Sequence, residues 1–426
     1  MAATLVAAAL AAAADAGSSW LGLRGDGSGR SSERGLPLTW SESHNVFWKT
    51  ALPGRGYSSP VVAGGKVWLT TALEAEHSLR VLALELASGK IIHDVEVFQP
   101  AAWQPGHDEN SFASPTPVAD ETRVCVHFGT YGSACLAQAD ATVLWKANDQ
   151  PQEHEVGPGS SPILWKDLFL VNCDGTDSDY VLARDKVSGK VVWKKERRFL
   201  EKRQPPHRKA FSTPIVVEVA GKAQLISTGA AATTAYDPAT GEELWYLQHE
   251  GYSNVPMPLY GGGKVVVNSG YAQPNLLAIA LDGARGDVVF SHLRWSYYGQ
   301  VPANSTPLYL EMPAAGPAPA AAARSGRIFM VADFGIASWL DADRGELIWR
   351  ERVGGRFFAS PLYADGRIYA FAHDGRTLVL EPGETYHLLA ENKLDGKVNA
   401  TPAIAAGSIF LRSEQALYRL GTQPGR

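Results

Sequence analysis

The sequence is poor in cysteine, in excess charge of either sign and in long apolar runs, and each shortage removes a class of protein. Three cysteines stand among 426 residues, Cys125, Cys135 and Cys173, and none has the spacing of a thiolate zinc site. Cys125 and Cys135 fall where a hairpin would set them face to face. The expectation is nonetheless two buried free thiols. A formal net charge of −5, with no basic stripe, argues against nucleic acid as a partner. No apolar run reaches the roughly 18–20 residues of a membrane span. Missing too are Gly-x-Ser-x-Gly, His-Glu-x-x-His, the Walker A loop and Cys-x-x-Cys-His, so the chain carries no ready-made catalytic or haem-binding motif.

What it has in quantity is turn residues and indoles: 42 glycines, 26 prolines and 12 tryptophans, a composition suited to many short strands. One pattern organises them. Ala183…Gly189…Trp193 and Ala235…Gly241…Trp245 share the same offsets. Weaker copies are Ala83…Gly89…His93, Cys135…Ala141…Trp145, Ala280…Gly286…Phe290 and Trp339…Gly345…Trp349. Each reads as two strands joined by a tight turn, with glycine where φ must be positive.

A second mark recurs with the first. A small-residue triplet ending in proline appears at 58–60, 113–115, 160–162, 212–214, 305–307, 359–361 and 400–402, and Val255–Pro258 fills the remaining slot. The interval is about 49 residues, the range of propeller blades. The pattern predicts an all-β chain, an eight-bladed β-propeller of four-stranded antiparallel blades over residues 46–421. Its eighth unit, from Thr401 to Leu420, stops without an outer strand, and an orphan strand at 46–50 precedes the first triplet. The N-terminal strand is therefore expected to pair with the C-terminal blade and close the ring.

Residues 1–17 form an Ala-rich leader resembling the apolar core of a secretion signal, although no Lys or Arg precedes it. The missing charge leaves open a translation start further upstream. Export, to the periplasm or beyond, is the expectation. Residues 18–45 read as an N-terminal extension, 311–326 as a Pro/Ala-rich loop inserted in blade six, and 422–426 as a tail.

In a propeller, the connections entering each inner strand and those joining the second strand to the third gather on one face. The hairpin turns gather on the other. Here the hairpin turns are short and glycine-based, whereas the first set is long and varied, and loops on a rigid scaffold concentrate binding residues. His107 and Asn110 stand there for a ligand in the central funnel, or for capping loop backbone. Asp174, Asp177 and Asp179 offer hard oxygens, but without the spacing of an EF-hand they also suit a turn bonding its own backbone. Tyr131, Tyr252 and Tyr271 could stack a sugar, peptide or quinone. Asn304, Asp333 and Asp374 complete the set, with no residue assigned to a metal or to catalysis.

The Ala…Gly…Trp repeat resembles the tryptophan-docking motif of the PQQ-type β-propellers, a superfamily that includes quinoprotein alcohol dehydrogenases and the outer-membrane assembly factor BamB. The resemblance implies that Trp48, Trp145, Trp193, Trp245 and Trp349 pack between blades, each against the glycine peptide of the next, as at Gly189 and Gly241. Phe128–Cys135 and Cys173–Asp177, with the opening Trp20…Arg24…Gly27 and Gly35…Trp40, are closer still to exported bacterial PQQ-binding-like repeat proteins. The quinoprotein dehydrogenases carry adjacent cysteines and a Glu/Asn/Asp calcium site, and this chain has no adjacent cysteine pair. The reading is therefore a monomeric binding or scaffold protein of the cell envelope, presenting its loop-rich face to a protein, peptide or glycan. The alternative is a PQQ- and Ca²⁺-dependent alcohol or sugar dehydrogenase, with Asp333 or Asp374 as base. A hydrolase or lyase working in the funnel is a third.

Overall fold

A computed structural model describes residues 19–313 and 324–422. The strands form eight sheets: five built from consecutive stretches of chain, one from both ends, and the fourth and fifth interleaved, since Gly286–Asp287 joins the fourth from within the stretch that forms the fifth. In that last sheet Val46–Ala51 lies antiparallel to Ala416–Leu420, with Thr50 opposite Leu417, so the N-terminal strand closes blade eight as expected. The inner strands are short and buried on both sides, as at Val61–Ala63 and Ala403–Ala405. An outer strand such as Val191–Glu196 exposes every side chain except Trp193.

The indoles explain why the blades stay together. Trp48, Trp145 and Trp193 donate to the carbonyls of Leu86, Lys186 and Pro238 in the next blade, at 3.1, 2.9 and 3.1 Å. Each ring covers the glycine that follows, and a Cβ at Gly89, Gly189 or Gly241 would come within 2.5 to 2.8 Å of it. Trp349 docks likewise on the Gly383 carbonyl, at 2.9 Å. Blade one has His93 in the indole position, and the next blade's turn carries Ala141 instead of glycine.

Five expectations need correction. Trp245 is fully buried and packs between blades with Val265, Val267 and Ile279 as expected, but it does not dock on a glycine turn: it donates to Gln224 of its own blade, because the following segment, Gly286–Asp287, runs parallel beside it rather than forming a hairpin turn. Phe290 of that false copy is wholly exposed, and the outer strand of blade five is Leu293–Tyr297, whose Trp295 docks on Ala342 and Gly345. In blade two the repeating position is Thr116 before Pro117, two residues beyond the triplet read from the sequence. Cys125 and Cys135 are not free thiols: they sit directly opposite on neighbouring strands, with Cα atoms 4.0 Å apart, and form a disulfide. Cys173 remains free and buried, and burial pushes its thiol up to about 12. Finally, strand pairing runs into the inserted segment, with Glu311 opposite Gly326. The leader, and the insertion between 314 and 323, lie outside the described residues.

The Ser/Thr-Pro mark has a physical cause. The backbone N–H of Ser59 donates to the Thr116 hydroxyl, Thr116 to Ser161, and Ser161 to Thr213. Met257 donates to Thr306, Thr306 to Ser360, and Ser360 to Thr401. All six links are 2.9 Å. A hydroxyl is wanted there because a buried N–H at the ring axis must find an acceptor, and the next blade supplies it.

Below this ring of hydroxyls the N-terminal segment crosses the channel as a strap. Trp20 pairs with Val62, the Leu21 carbonyl accepts from Ala119, and Gly29 and Ser31 bond Tyr363, so the strap touches blades one, two and seven. Arg24 is fully buried, and its guanidinium donates to the carbonyls of Thr306, Pro307 and Pro361 at 2.7, 2.9 and 3.4 Å. The chain then leaves along blades seven and eight, where Trp40 stacks on Tyr369, before entering Val46–Ala51.

Candidate functional site

Above the hydroxyl ring the channel opens into a funnel of about 450 Å³. Its wall has a simple origin. The residue two places before each ring position lines it: Tyr57, Ser114, Gly159, Phe211, Val255, Asn304, Phe358 and Asn399, one from each blade. None of the eight carries a charge. Each blade enters its inner strand at the same angle, so the same offset points inward eight times.

Loops add a second tier. His107, Glu109 and Asn110 come from the long connection into blade two, Lys209 from that into blade four, Tyr252 from that into blade five, and Tyr271 from the loop between the second and third strands of blade five. The charges in this tier are paired. Glu109 meets Arg356 of the blade-seven loop at 2.6 Å, bridging the mouth from blade two to blade seven, and that guanidinium holds its carboxyl below the usual range. Lys209 is bound to Glu155. Asn110 is occupied with structure: its amide donates to the carbonyls of Val156 and Pro158, at 2.8 and 3.1 Å, and its oxygen accepts from Ser111.

Of the residues singled out from sequence, His107, Asn110, Tyr252, Tyr271 and Asn304 come together at the funnel. The others do not line it. Tyr131 accepts from the Gln104 backbone and packs against Trp103 and Phe112. Asp174 is buried against Arg197, at 2.5 Å, and Asp177 accepts from the Glu153 backbone at 2.7 Å. Asp179, buried beside Asp174, is pushed up to about 7 and pairs with Arg208 at 2.8 Å. Asp333 accepts from Ala303 and Asn304 and so holds the loop that presents Asn304. Asp374 is tied to Arg376 and held below the usual carboxylate range. Among the described residues, no group of three or more His, Cys, Asp or Glu side chains converges as a metal site, and no helix is long and apolar enough to cross a membrane.

Sequence reasoning missed Tyr57, Ser114, Phe211, Phe358 and Asn399. The signal was available, since each precedes a Ser/Thr-Pro mark by a constant offset, but finding it required knowing that the mark faces the axis.

Residues 75–216, 177–312 and 307–385 match the family model described as outer membrane protein assembly factor BamB. The chain belongs to that family. No curated protein matches it by sequence. Among solved structures, this BamB-type chain is similar to BamB from Moraxella catarrhalis, with 11% identity, a TM-score of 0.60 and coverage of 88% of this chain and 99% of that one. It is also similar to quinohemoprotein alcohol dehydrogenase from Comamonas testosteroni, at 12% identity and a TM-score of 0.62, covering 96% and 81%. A europium-containing methanol dehydrogenase gives 13% identity and a TM-score of 0.60, covering 93% and 88%. At these identities the structural likenesses establish the fold alone.

Proposed function

We propose that the protein is a binding propeller of the cell envelope that receives its partner on the loop-rich face, with the funnel as the seat. The observation that carries this reading is the uncharged ring of eight wall residues. A receptacle crossed below by the strap and open above, lined by aromatic faces and side-chain amides, suits a neutral ligand held by stacking and hydrogen bonds. The extracytoplasmic setting is supported by the Cys125–Cys135 disulfide, since such bonds persist in oxidising compartments, and by the BamB family match.

A PQQ-dependent reading is not supported by the residues present. The cofactor is a planar tricarboxylate and would call for unpaired cations around it. The ring of eight offers none, and the two cations of the upper tier, Lys209 and Arg356, already hold carboxylates. The two bases considered from sequence, Asp333 and Asp374, do not line the funnel.

The test is photo-crosslinking in the native envelope. A photoreactive residue at Phe358 or Phe211 is expected to give discrete adducts, and one at exposed Tyr260, beside the hairpin turn on the opposite face, none. Adducts at 260 alone, or at no position, would reject the funnel as the seat.

A further inference from the structure

Between blades four and five a second cavity, of about 550 Å³, opens on the same face and shares Tyr252 and Tyr271 with the funnel. The shared wall is built by a close backbone crossing. A Cβ at Gly251 would collide with the Ser269 carbonyl, Gly270 packs against Gly251, and the Tyr271 N–H donates to the Tyr252 carbonyl at 3.1 Å. Only glycine permits that approach, and it fixes the two tyrosines side by side between the cavities. Tyr298, three-quarters exposed, stands on the far side, and Tyr271 is half exposed.

The lining of this side cavity, whose one carboxylate, Glu250, lies 3.9 Å from Arg203, sets Gln248, Gln273 and Asn275 beside the tyrosines over the apolar side chains of Leu247, Leu277, Val289 and Leu293. It does not suit a peptide added as a strand. The free edge of blade four is already taken by Gly286–Asp287, paired with Trp245 and Tyr246, and by the Val288 N–H on the Tyr246 carbonyl. A ligand here meets side chains rather than open backbone. An exposed tyrosine face is electron-rich, and it packs well on the C–H face of a sugar ring. Side-chain amides both donate and accept, as the hydroxyls of a sugar require.

We propose that funnel and side cavity form one continuous cleft that binds a linear, uncharged oligosaccharide, one end seated in the funnel and the chain passing over Tyr252 and Tyr271 to Tyr298. The proposal rests on the funnel being the binding seat and names the chemical class of its ligand. Among the described residues the cleft has no unpaired cation in its upper tier to draw a uronic or sulfated chain, and Tyr298 lies outside the funnel, where a single small molecule seated in the funnel would not reach.

The test uses the full-length protein in isothermal titration calorimetry against cellohexaose, xylohexaose, mannohexaose and maltohexaose, with oligogalacturonate and a proline-rich peptide as contrasting probes. At least one neutral hexaose is expected to bind. Tyr271→Ala and Tyr298→Ala should each weaken it by about tenfold or more, and Tyr260→Ala, also exposed, should leave it unchanged. Both cleft tyrosines are exposed, so their removal leaves the fold intact, as the thermal melt will show. Binding of oligogalacturonate or the peptide alone, of no probe, or of a hexaose indifferent to both substitutions would overturn the proposal. If Phe358 still crosslinks in the envelope while all hexaoses fail, the glycan class falls and the funnel seat stands. If both fail, the seat falls too.

Discussion

The guanidinium of Arg24 donates to the carbonyl oxygen of Thr306 at 2.7 Å across a sequence separation of 282 residues. The hydroxyl oxygen of the same Thr306 accepts from the Met257 N–H. One residue of blade six thus joins the strap to the ring of hydroxyls above it. Among the described residues Arg24 has no buried carboxylate partner: burial pulls it down to about 9, the nearby Asp26 charge opposing only in part, and backbone carbonyls take up its donors. Arg24→Met is expected to leave three buried carbonyls without partners, costing about 3 kcal/mol or more. Arg24→Lys should recover little, because an ammonium cannot match the fork of the guanidinium. Urea melts check the cost. Limited proteolysis should show new cleavage within 20–31 in the Met variant, and unchanged protection there would mean that the strap is held by Trp20 and Tyr363 instead.

Thr306→Val keeps the β-branched shape while removing the acceptor for the Met257 N–H. The unpaired buried donor should cost about 1–3 kcal/mol, and Thr306→Ser should restore most of it. A Val variant as stable as the unsubstituted protein, with the loss falling on Ser instead, would show that the methyl, not the hydroxyl, is what the site requires.

Docking of indole on glycine separates into two parts that substitutions can isolate. Gly221 has φ of +74° and nothing within 4 Å of a built Cβ, whereas Gly241 has φ of +70° and the Trp193 ring at 2.8 Å. Gly221→Ala should pay only the left-handed backbone penalty, about 1–2 kcal/mol. Gly241→Ala adds the displaced indole and should cost at least about 1 kcal/mol more. Trp193→Ala is expected to lose about 3–5 kcal/mol. Chemical denaturation of the three variants orders them, and a Gly241→Ala protein as stable as Gly221→Ala would remove the docking explanation.

The parts of this fold legible in the sequence were those set by strict local chemistry. Gly189 and Gly241 announce their turns through a backbone only glycine adopts easily, and the orphan strand at 46–50 announced ring closure because blade eight lacked one. Trp245 misled because its docking depends on what the next blade offers, and Gly286–Asp287 turned out to be an edge strand. Asp174 reads as a hard oxygen or a turn residue because nothing local marks Arg197, 23 residues beyond it, as its partner. The funnel wall was hidden for a related reason: Tyr57, Phe211 and Phe358 share an offset rather than a residue type, and only the geometry says which way that offset points.

Cys125 and Cys135 close a loop with a sequence separation of 10. Replacing both with serine should lower stability by about 2–3 kcal/mol on the chain-entropy account. Under reducing conditions the native protein should lose the same amount and the double variant nothing further. A thiol count of three in the unfolded, non-reduced protein would contradict the bond.

Acid should weaken the protein through its buried imidazoles. Burial pulls His127 and His249 down to about 3 and His154 to about 4, well below the ordinary 6.5, because the charged ring is disfavoured in low dielectric. The native rings are neutral, so unfolding frees sites that take up protons once the pH drops below about 6.5. Their contribution is present in full above that value and is lost as pH falls toward 4 and 3. Each ring steepens the loss by about 1.4 kcal/mol per pH unit. Asp179 runs the other way: burial pushes it up from 3.8 to about 7, folding takes up its proton between those values, and that contribution is lost progressively as pH rises from about 4 and is gone above about 7. A difference measurement removes this opposing background. Between pH 6 and 4.5, His127→Gln should flatten the fall in unfolding free energy by about 1.4 kcal/mol per pH unit relative to the unsubstituted protein. If the variant keeps the original slope, His127 is not neutral because of burial, and acid lability must arise from the carboxylates instead.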